Sequence, residues 1–396
     1  MPLTLEGLKV IDLTQNVAGP FCTQLLGDFG ADVIKIERPG RGDDVRGFAP
    51  QWRGESAAYL AYNRNKRSVC IDLDHPRGCE LVAQLAQSAD IFVHSMKPGS
   101  TEARGLGYAD LAASNPGLIY GSISGFGESG PLRSLPGYDP LGQAYSGIIS
   151  MNGHPGAPPA RVVVPIIDMG SGLWLFTGIL AALIERNKTG RGAKVATSLL
   201  ETGVGWTTLA LAGYQASGVV PGPAGSTSPA AAPYEAFRTA DGWIQIAAGN
   251  DRLFVKLCEV LGCAEVAGES RFATNQQRVA ARNQLHQLLE RRTEQFSAQQ
   301  LMGLLREAGV PASVINTLDK VFADEQVNAL GMLPAVAPDF RIPEMKLVDL
   351  PVSINGARAS LRRMPPILGE HTDEVLRQSG YSDADISELR RLGIIQ

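Results

Sequence analysis

The sequence predicts an α/β protein whose larger part is an open, mostly parallel sheet covered by helices. Three observations carry that expectation. Through the first half of the chain, short apolar and β-branched runs alternate with helical periods, the pattern of successive β–α–β units. At 396 residues the chain is too long for one ordinary core, so two domains are expected. Between the halves, Ser217–Pro233 is rich in Gly, Pro, Ser and Ala without any period, and reads as a linker or mobile loop.

The elements follow in order. Strands are expected at Lys9–Leu13, Asp32–Glu37, Ser68–Leu73, Ile91–His94, Leu118–Ser124 and Val162–Ile167. Helical periods fall between them at Pro20–Phe29, at Pro76–Ser88 with Leu81, Val82 and Leu85 on one face, and at Gly170–Arg186. After the linker come a strand at Trp243–Ala247 and helices near Arg252–Leu261, Arg278–Gln295 and Ala298–Ala308, a smaller α+β unit. The tail returns to a strand-like Leu347–Ile354, then to short helices at Glu370–Gln378 and Asp383–Leu392.

Composition narrows the function. Lys and Arg number 36 against 40 Asp and Glu, a formal charge of −4, which argues against a nucleic-acid binder. A polyanionic small ligand stays possible, because a few well-placed cations serve it locally. No basic leader opens the chain, and the longest wholly apolar stretch, near Leu173–Ile184, falls short of the roughly 20 residues that span a bilayer. The five cysteines (Cys22, Cys70, Cys79, Cys258, Cys263) are scattered and lack Cys-x-x-Cys spacing, so reduced thiols and a cytoplasmic location are expected.

Several chemistries lose their support. Gly125-Phe-Gly127-Glu-Ser-Gly130 matches the dinucleotide pattern, yet it runs into Pro131-Leu-Arg-Ser-Leu-Pro136, which cannot open the helix that must hold a pyrophosphate. The first β–α turn, Thr14–Pro20, lacks the glycine triplet. The five histidines show no metal-ligand spacing, and neither a nucleophile elbow nor a phosphate-binding lysine loop is present.

What remains is Asp168-Met-Gly-Ser-Gly172, set between the apolar run Val162–Ile167 and the apolar helix from Leu173. A strand-to-helix turn would put Asp168 at the carboxyl edge of a sheet, where open α/β folds bind ligands. Glycines beside it would let a substrate approach the backbone. Local sequence alone favours another reading, in which Asp168 is a helix N-cap.

A wider pattern resolves the choice. Gly19-Pro-Phe-Cys-Thr-Gln24, Gly30-Ala-Asp-Val-Ile-Lys-Ile-Glu-Arg-Pro-Gly40, Asn63-Arg-Asn-Lys-Arg-Ser68, Lys188-Thr-Gly-Arg-Gly192 and Leu368-Gly-Glu-His-Thr-Asp-Glu-Val-Leu376 occur in this order. With them the chain resembles, over essentially its whole length, the family III (CaiB/BaiF) CoA-transferases, which include formyl-CoA:oxalate and acetyl-CoA:oxalate transferases and the α-methylacyl-CoA racemases. The resemblance implies an open Rossmann-like large domain built from both chain ends (1–216 and 344–396), a small α+β domain (234–318), connectors at 217–233 and 319–343, and an interlocked-ring homodimer.

It also implies a site. Asp168 matches the family's nucleophile, a carboxylate that attacks the acyl-CoA thioester and carries CoA as an aspartyl thioester. Coenzyme A enters as acyl-CoA cosubstrate, with no tightly bound cofactor and no metal. Arg38, Lys97 and Arg104 match basic contacts to CoA, although Arg104 stands one place beyond the usual cation and Ala103 occupies that place. Val17, Ala18, Asp72, Ser95, Met96 and Tyr138 complete the implied CoA contacts. Val17 stands where the formyl-CoA transferases carry glutamine, and Gly225, Ser226, Thr227 and Ser228 replace the glycine run that closes over their active site.

The alternative is a racemase or epimerase, which pairs the aspartate with a histidine in a Gly-His-Asp segment. Here that segment is Pro136-Gly-Tyr138-Asp139, and a tyrosine is a poor general base at neutral pH. CoA transfer to a carboxylic acid, by the relatives' habits a short dicarboxylate, is the expected reaction; nucleic acid and membrane are not expected partners.

Overall fold

The computed structural model describes residues 3–336, 341–359 and 361–396; residues 1, 2 and 360 of the expected large domain and 337–340 of the expected second connector lie outside them. Contacts divide the chain into two units. The larger takes Met1–Ile148, Arg161–Val219 and Glu325–Gln396, and the smaller Ile149–Ala160 and Val220–Asp324.

The larger unit is built on a six-stranded sheet. Its strands are β1 (Lys9–Leu13), β2 (Asp32–Glu37), β3 (Lys66–Cys70), β4 (Ile91–His94), β5 (Ile119–Ser124) and β6 (Lys194–Ser198). They lie in the order β3-β2-β1-β4-β5-β6, and each neighbouring pair is parallel. That is the Rossmann order, with the crossovers reversing direction between β1 and β4. Both faces are covered, so the strands read as continuous apolar runs. Ile11, Ile34, Phe92 and Tyr120 face helix α2 (Pro76–Gln87) and the C-terminal helices Thr372–Gln378 and Asp383–Arg391. Their neighbours Val10, Val33, Ile91 and Ile119 face α1 (Ala18–Asp28).

After β5 come α3 (Asp139–Tyr145) and α4 (Ile166–Thr189); α5 (Leu199–Trp206) and α6 (Thr208–Ser217) follow β6. The crossing of α1 and α4 is tight. A Cβ added at Gly172 would stand 2.4 Å from the Ala18 carbonyl oxygen, so glycine alone fits there. At Gly170 a Cβ would meet the Trp206 ring at 2.8 Å, so these glycines serve helix packing more than substrate approach.

Several expectations need correction. Val162–Ile167 is not a strand. Val163 and Val164 are 79% and 56% exposed, and α4 already begins at Ile166. The sixth strand is Lys194–Ser198, whose mixed Lys-Val-Ala-Thr-Ser sequence hid it. Leu347–Ile354 forms no strand, only an isolated bridge from Ile354 to Ala357 with another at Lys346 just before it, since Pro351 in its middle has no N–H for a ladder; Leu347 instead packs with Leu60, Ile342 and Met345. Helix α4 is also longer than the apolar stretch read from sequence. By length and composition alone it could cross a membrane, but 44% of its apolar window is buried inside the unit.

In the smaller unit, β7 (Tyr234–Arg238), β8 (Trp243–Ala247) and β9 (Ala312–Val314) pair antiparallel in the order β9-β8-β7. The expected helix Arg278–Gln295 is broken at Ala281 into Asn275–Ala280 and Arg282–Thr293. The Gly/Pro/Ser/Ala stretch before β7 is tied down. The fully buried Arg278 donates to the carbonyls of Ala232, Phe272 and Gly249, and Arg282 donates to those of Ser228 and Ala231.

Candidate active site

Within the larger unit a cavity of about 440 Å³ opens at the carboxyl ends of β1, β4 and β5, where a ligand site is expected for this strand order. Its floor is the turn after β1, held by buried charge. Asp12 accepts from Thr14 N–H (2.8 Å), from the Thr14 hydroxyl (2.5 Å) and from the Thr23 hydroxyl (2.7 Å). Lys35 donates to the Thr14 carbonyl (2.8 Å) and pairs with Asp43 (2.9 Å), whose carboxylate accepts the Asn16 N–H (3.0 Å). Asn16 sits in the left-handed region at φ 67°, a conformation asparagine tolerates better than most residues. Gly19 is required here, because its Cβ would fall 2.3 Å from that of Thr14. The Gln15 N–H donates to the Ser95 hydroxyl (3.0 Å), tying this turn to the loop after β4.

Val17, Ala18, Arg38, Ser95, Met96, Lys97, Arg104, Tyr138 and Asp168 all line the cavity. Arg38 is half-exposed; one nitrogen reaches Gln15 and Asp44 (3.2 Å each), while its Nε is buried without a partner. Arg104 is pinned by the Leu73 carbonyl (3.2 Å), by Ser100 and by Asp74 (2.8 Å). Lys97 is exposed at the rim. Asp72 does not line the cavity, because its carboxylate turns back to accept the Asp74 N–H (2.9 Å). Gly225–Ser228 belong to the smaller unit, where the Gly225 N–H donates to the Gly153 carbonyl and the Ser226 hydroxyl accepts from Ala236 N–H (2.9 Å).

The glycine triplet after β5 has a structural role. No helix follows it directly; residues 126–138 run through bends, one turn and irregular chain, and Gly125 and Gly137 touch backbone to backbone, with a Cβ on Gly125 only 2.6 Å from the Gly137 nitrogen. That contact folds the loop back and presents Tyr138, 59% exposed, at the cavity wall.

Asp168 is the third residue of α4, not an N-cap, and the cap position falls on Pro165, which makes no side-chain cap. Two of the helix's open N–H groups, those of Ile167 (2.8 Å) and Asp168 (3.2 Å), are taken by the carboxylate of Asp139 at the start of α3. Burial, and then the Asp139 charge, pushes the Asp168 carboxyl up to about 7. Tyr62 is raised by burial and by the same two carboxylates. A perturbed carboxylate in a cleft is a functional-site signature. Sequence reading missed Gln15, Asn16 and Asp139; the signal for Asp139 was its place beside Tyr138 and its i, i+4 spacing to Gln143.

The profile of CoA-transferase family III matches residues 5–372. The chain belongs to CoA-transferase family III. Human succinyl-CoA:glutarate CoA-transferase is 37% identical over 396 residues, covering 99% of this chain and 90% of the human protein. The succinate–glutarate CoA-transferase of Agrobacterium fabrum is 37% identical over 382 residues, 94% of this chain and 95% of that protein. The crystal structure of a CaiB/BaiF family protein from Brucella suis superposes with a TM-score of 0.88 at 38% identity, covering 96% of this chain and all of that one. This family III enzyme is therefore a CoA-transferase that uses acyl-CoA as cosubstrate.

Proposed function

We propose that the enzyme moves CoA from an acyl-CoA donor to a short dicarboxylate by way of a covalent aspartyl intermediate on Asp168. The observation that carries this reading is a carboxylate with a raised pKa lining a cavity at the topological switch point of the sheet. Two relatives named for succinate and glutarate point to C4–C5 diacids as donor and acceptor.

The chemistry balances without ATP or metal. The Asp168 carboxylate attacks the thioester carbonyl, the C–S bond breaks, and a mixed anhydride and CoA thiolate result. The thiolate attacks the aspartyl carbonyl of that anhydride, giving aspartyl-CoA thioester and releasing the donor acid. The acceptor carboxylate attacks this thioester and again expels the thiolate, which then attacks the acceptor's carbonyl and restores Asp168. Arg38, Lys97 and Arg104 are assigned to the phosphates, and Val17, Ala18, Ser95, Met96 and Tyr138 to the pantetheine arm. For the loop Gly225–Ser228 we propose an oxyanion role. The N–H groups of Thr227, Ser228 and Gly225 are taken by the carbonyls of Ala224, Tyr234 and Gly153, which leaves Ser226 N–H open to a ligand.

The test is to incubate the enzyme with succinyl-CoA, add hydroxylamine or borohydride, and map the modified peptide. Label at Asp168 is expected. Unlabelled Asp168 with α-proton exchange in the substrate would instead identify a racemase. Arg38→Ala is expected to weaken CoA binding by about 10- to 100-fold while leaving the fold intact, because it removes charge-assisted bonds from a half-exposed side chain. Calorimetric titration with CoA checks it, and unchanged affinity removes Arg38 from the site.

A homodimer is proposed as well. Helices α4 to α6 leave Leu173, Trp174, Trp206, Leu209 and Tyr214 exposed, large apolar side chains of the kind that association covers. Light scattering on the purified enzyme is expected to give twice the chain mass. The five free cysteines suit a reducing, cytoplasmic setting.

A further inference from the structure

We propose that Asp139 is a positioning residue for Asp168: its carboxylate caps α4, fixes the backbone that bears the nucleophile, and places a second negative charge beside it. The inference rests on Asp168 being the nucleophile.

The geometry is specific. A helix leaves its first N–H groups without partners, and α4 cannot supply its own cap, since Pro165 stands at the cap position. Asp139 fills this need from another helix. One of its oxygens accepts the N–H of Ile167 and of Asp168 (2.8 and 3.2 Å). Its other oxygen accepts from the Gln143 side-chain amide (2.5 Å). Gln143 is itself clamped to Val162, ahead of α4, accepting the Val162 N–H (2.9 Å) and donating to the Val162 carbonyl (3.0 Å). Asp139 is 4% exposed and Gln143 is fully buried, so neither exchanges these partners for water. The i, i+4 pair on α3 thus grips the chain on both sides of Pro165. Tyr138, one residue earlier, is delivered to the cavity wall by the same turn.

The electrostatic consequence follows. A bare helix N-terminus would stabilise the carboxylate three residues in. Asp139 occupies that positive end, so Asp168 gains little from it and feels a like charge instead. Among the described residues, Asp139 from α3 is the charge that acts on Asp168; Tyr62 from the helix Ala57–Tyr62 is itself pushed up and stays neutral, and Tyr138 and Arg38 line the same cavity. A more basic carboxylate is a stronger nucleophile toward the thioester. The arrangement holds the nucleophile in place and keeps it reactive.

The experiment compares Asp139→Asn and Gln143→Ala with the parent enzyme, using succinyl-CoA and glutarate across pH 5 to 9. Asp139→Asn keeps the size and an acceptor oxygen but removes the charge. Its kcat is expected to fall at least about tenfold, with KM for succinyl-CoA within about twofold, and its acid limb to move about one pH unit lower. Gln143→Ala retains the Asp139 charge, so it is expected to lose kcat with the limb in place. Circular dichroism and CoA titration show whether each variant is folded. A folded Asp139→Asn enzyme with the parent's kcat and acid limb overturns the proposal, as does one whose loss falls on KM instead of kcat. If hydroxylamine fails to label Asp168 in the parent, the nucleophile reading is what has failed; a labelled parent with an unmoved variant fails the inference alone.

Discussion

An Asp168→Ala enzyme is expected to lose CoA transfer by about 10⁴-fold or more while binding CoA within a few-fold of the parent. The size of the loss comes from the absence of a substitute: water cannot carry CoA between two acids without hydrolysing the thioester, and Asp139 is buried and committed to backbone N–H groups. Retained turnover would end the covalent reading. A second measurement separates chemistry from folding. The Asp168 carboxyl titrates near 7 in the fold against an ordinary 3.8. The unfolded chain therefore ionises it above about pH 4 and the folded chain only above about 7, so this group lowers stability progressively across that window and uniformly above it. Asp168→Asn removes the slope. At pH 8 that variant is expected to be more stable than the parent by on the order of 2–3 kcal/mol, and at pH 4 nearly equal to it, by urea denaturation. An inactive but stabilised variant is the mark of a residue kept for reaction and not for the fold.

The β–α–β frame was legible because parallel strands buried on both faces read as unbroken apolar runs; Val10-Ile11 and Phe92-Val93 need no context. The same rule misled at Val162-Val-Val-Pro-Ile-Ile167, where an apolar run is a solvent-facing approach to a helix, and periodicity over so few residues cannot tell the two apart. Lys194–Ser198 failed in reverse, since an edge strand with one exposed face carries polar residues. Asp168, which lines the cavity, was singled out by ordered motifs across the chain and not by its own neighbourhood, which suggested a cap it does not make. Asp139 escaped because its partners are backbone N–H groups on another helix, and no spacing rule records those.

The least legible feature is the charge inside the sheet, and it carries the second large prediction. Asp12, Lys35 and Lys66 lie in strands and look like solvent-facing residues, yet each is fully buried. Lys66 donates to the Asp12 carboxylate (3.3 Å), to the Pro20 carbonyl (3.0 Å) and to Asn63 (2.9 Å). Burial alone would raise the Asp12 carboxyl, but Lys66 and Lys35 with the Thr14 and Thr23 hydroxyls hold it below its ordinary value. Burial pushes the Lys66 ammonium down to about 8, against the pull of Asp12. Asp12→Ala strands that ammonium and orphans the threonine donors, so a loss of about 3–5 kcal/mol is expected at pH 7. Glu185→Ala, which breaks the exposed pair with Lys188, is expected to cost no more than about 0.5 kcal/mol. The pH response identifies the cause. A lysine titrating below 10.5 when folded makes stability rise with pH from its folded value up to 10.5, and without Asp12 that rise begins lower. The variant is therefore expected to recover part of its deficit between pH 7 and 9. A deficit that is flat across this range would mean lost packing, not a stranded charge. Because Asp12 also anchors Thr14, CoA affinity is expected to fall with stability, linking a buried ion pair in the sheet to the floor of the cavity where Val17 and Ala18 lie.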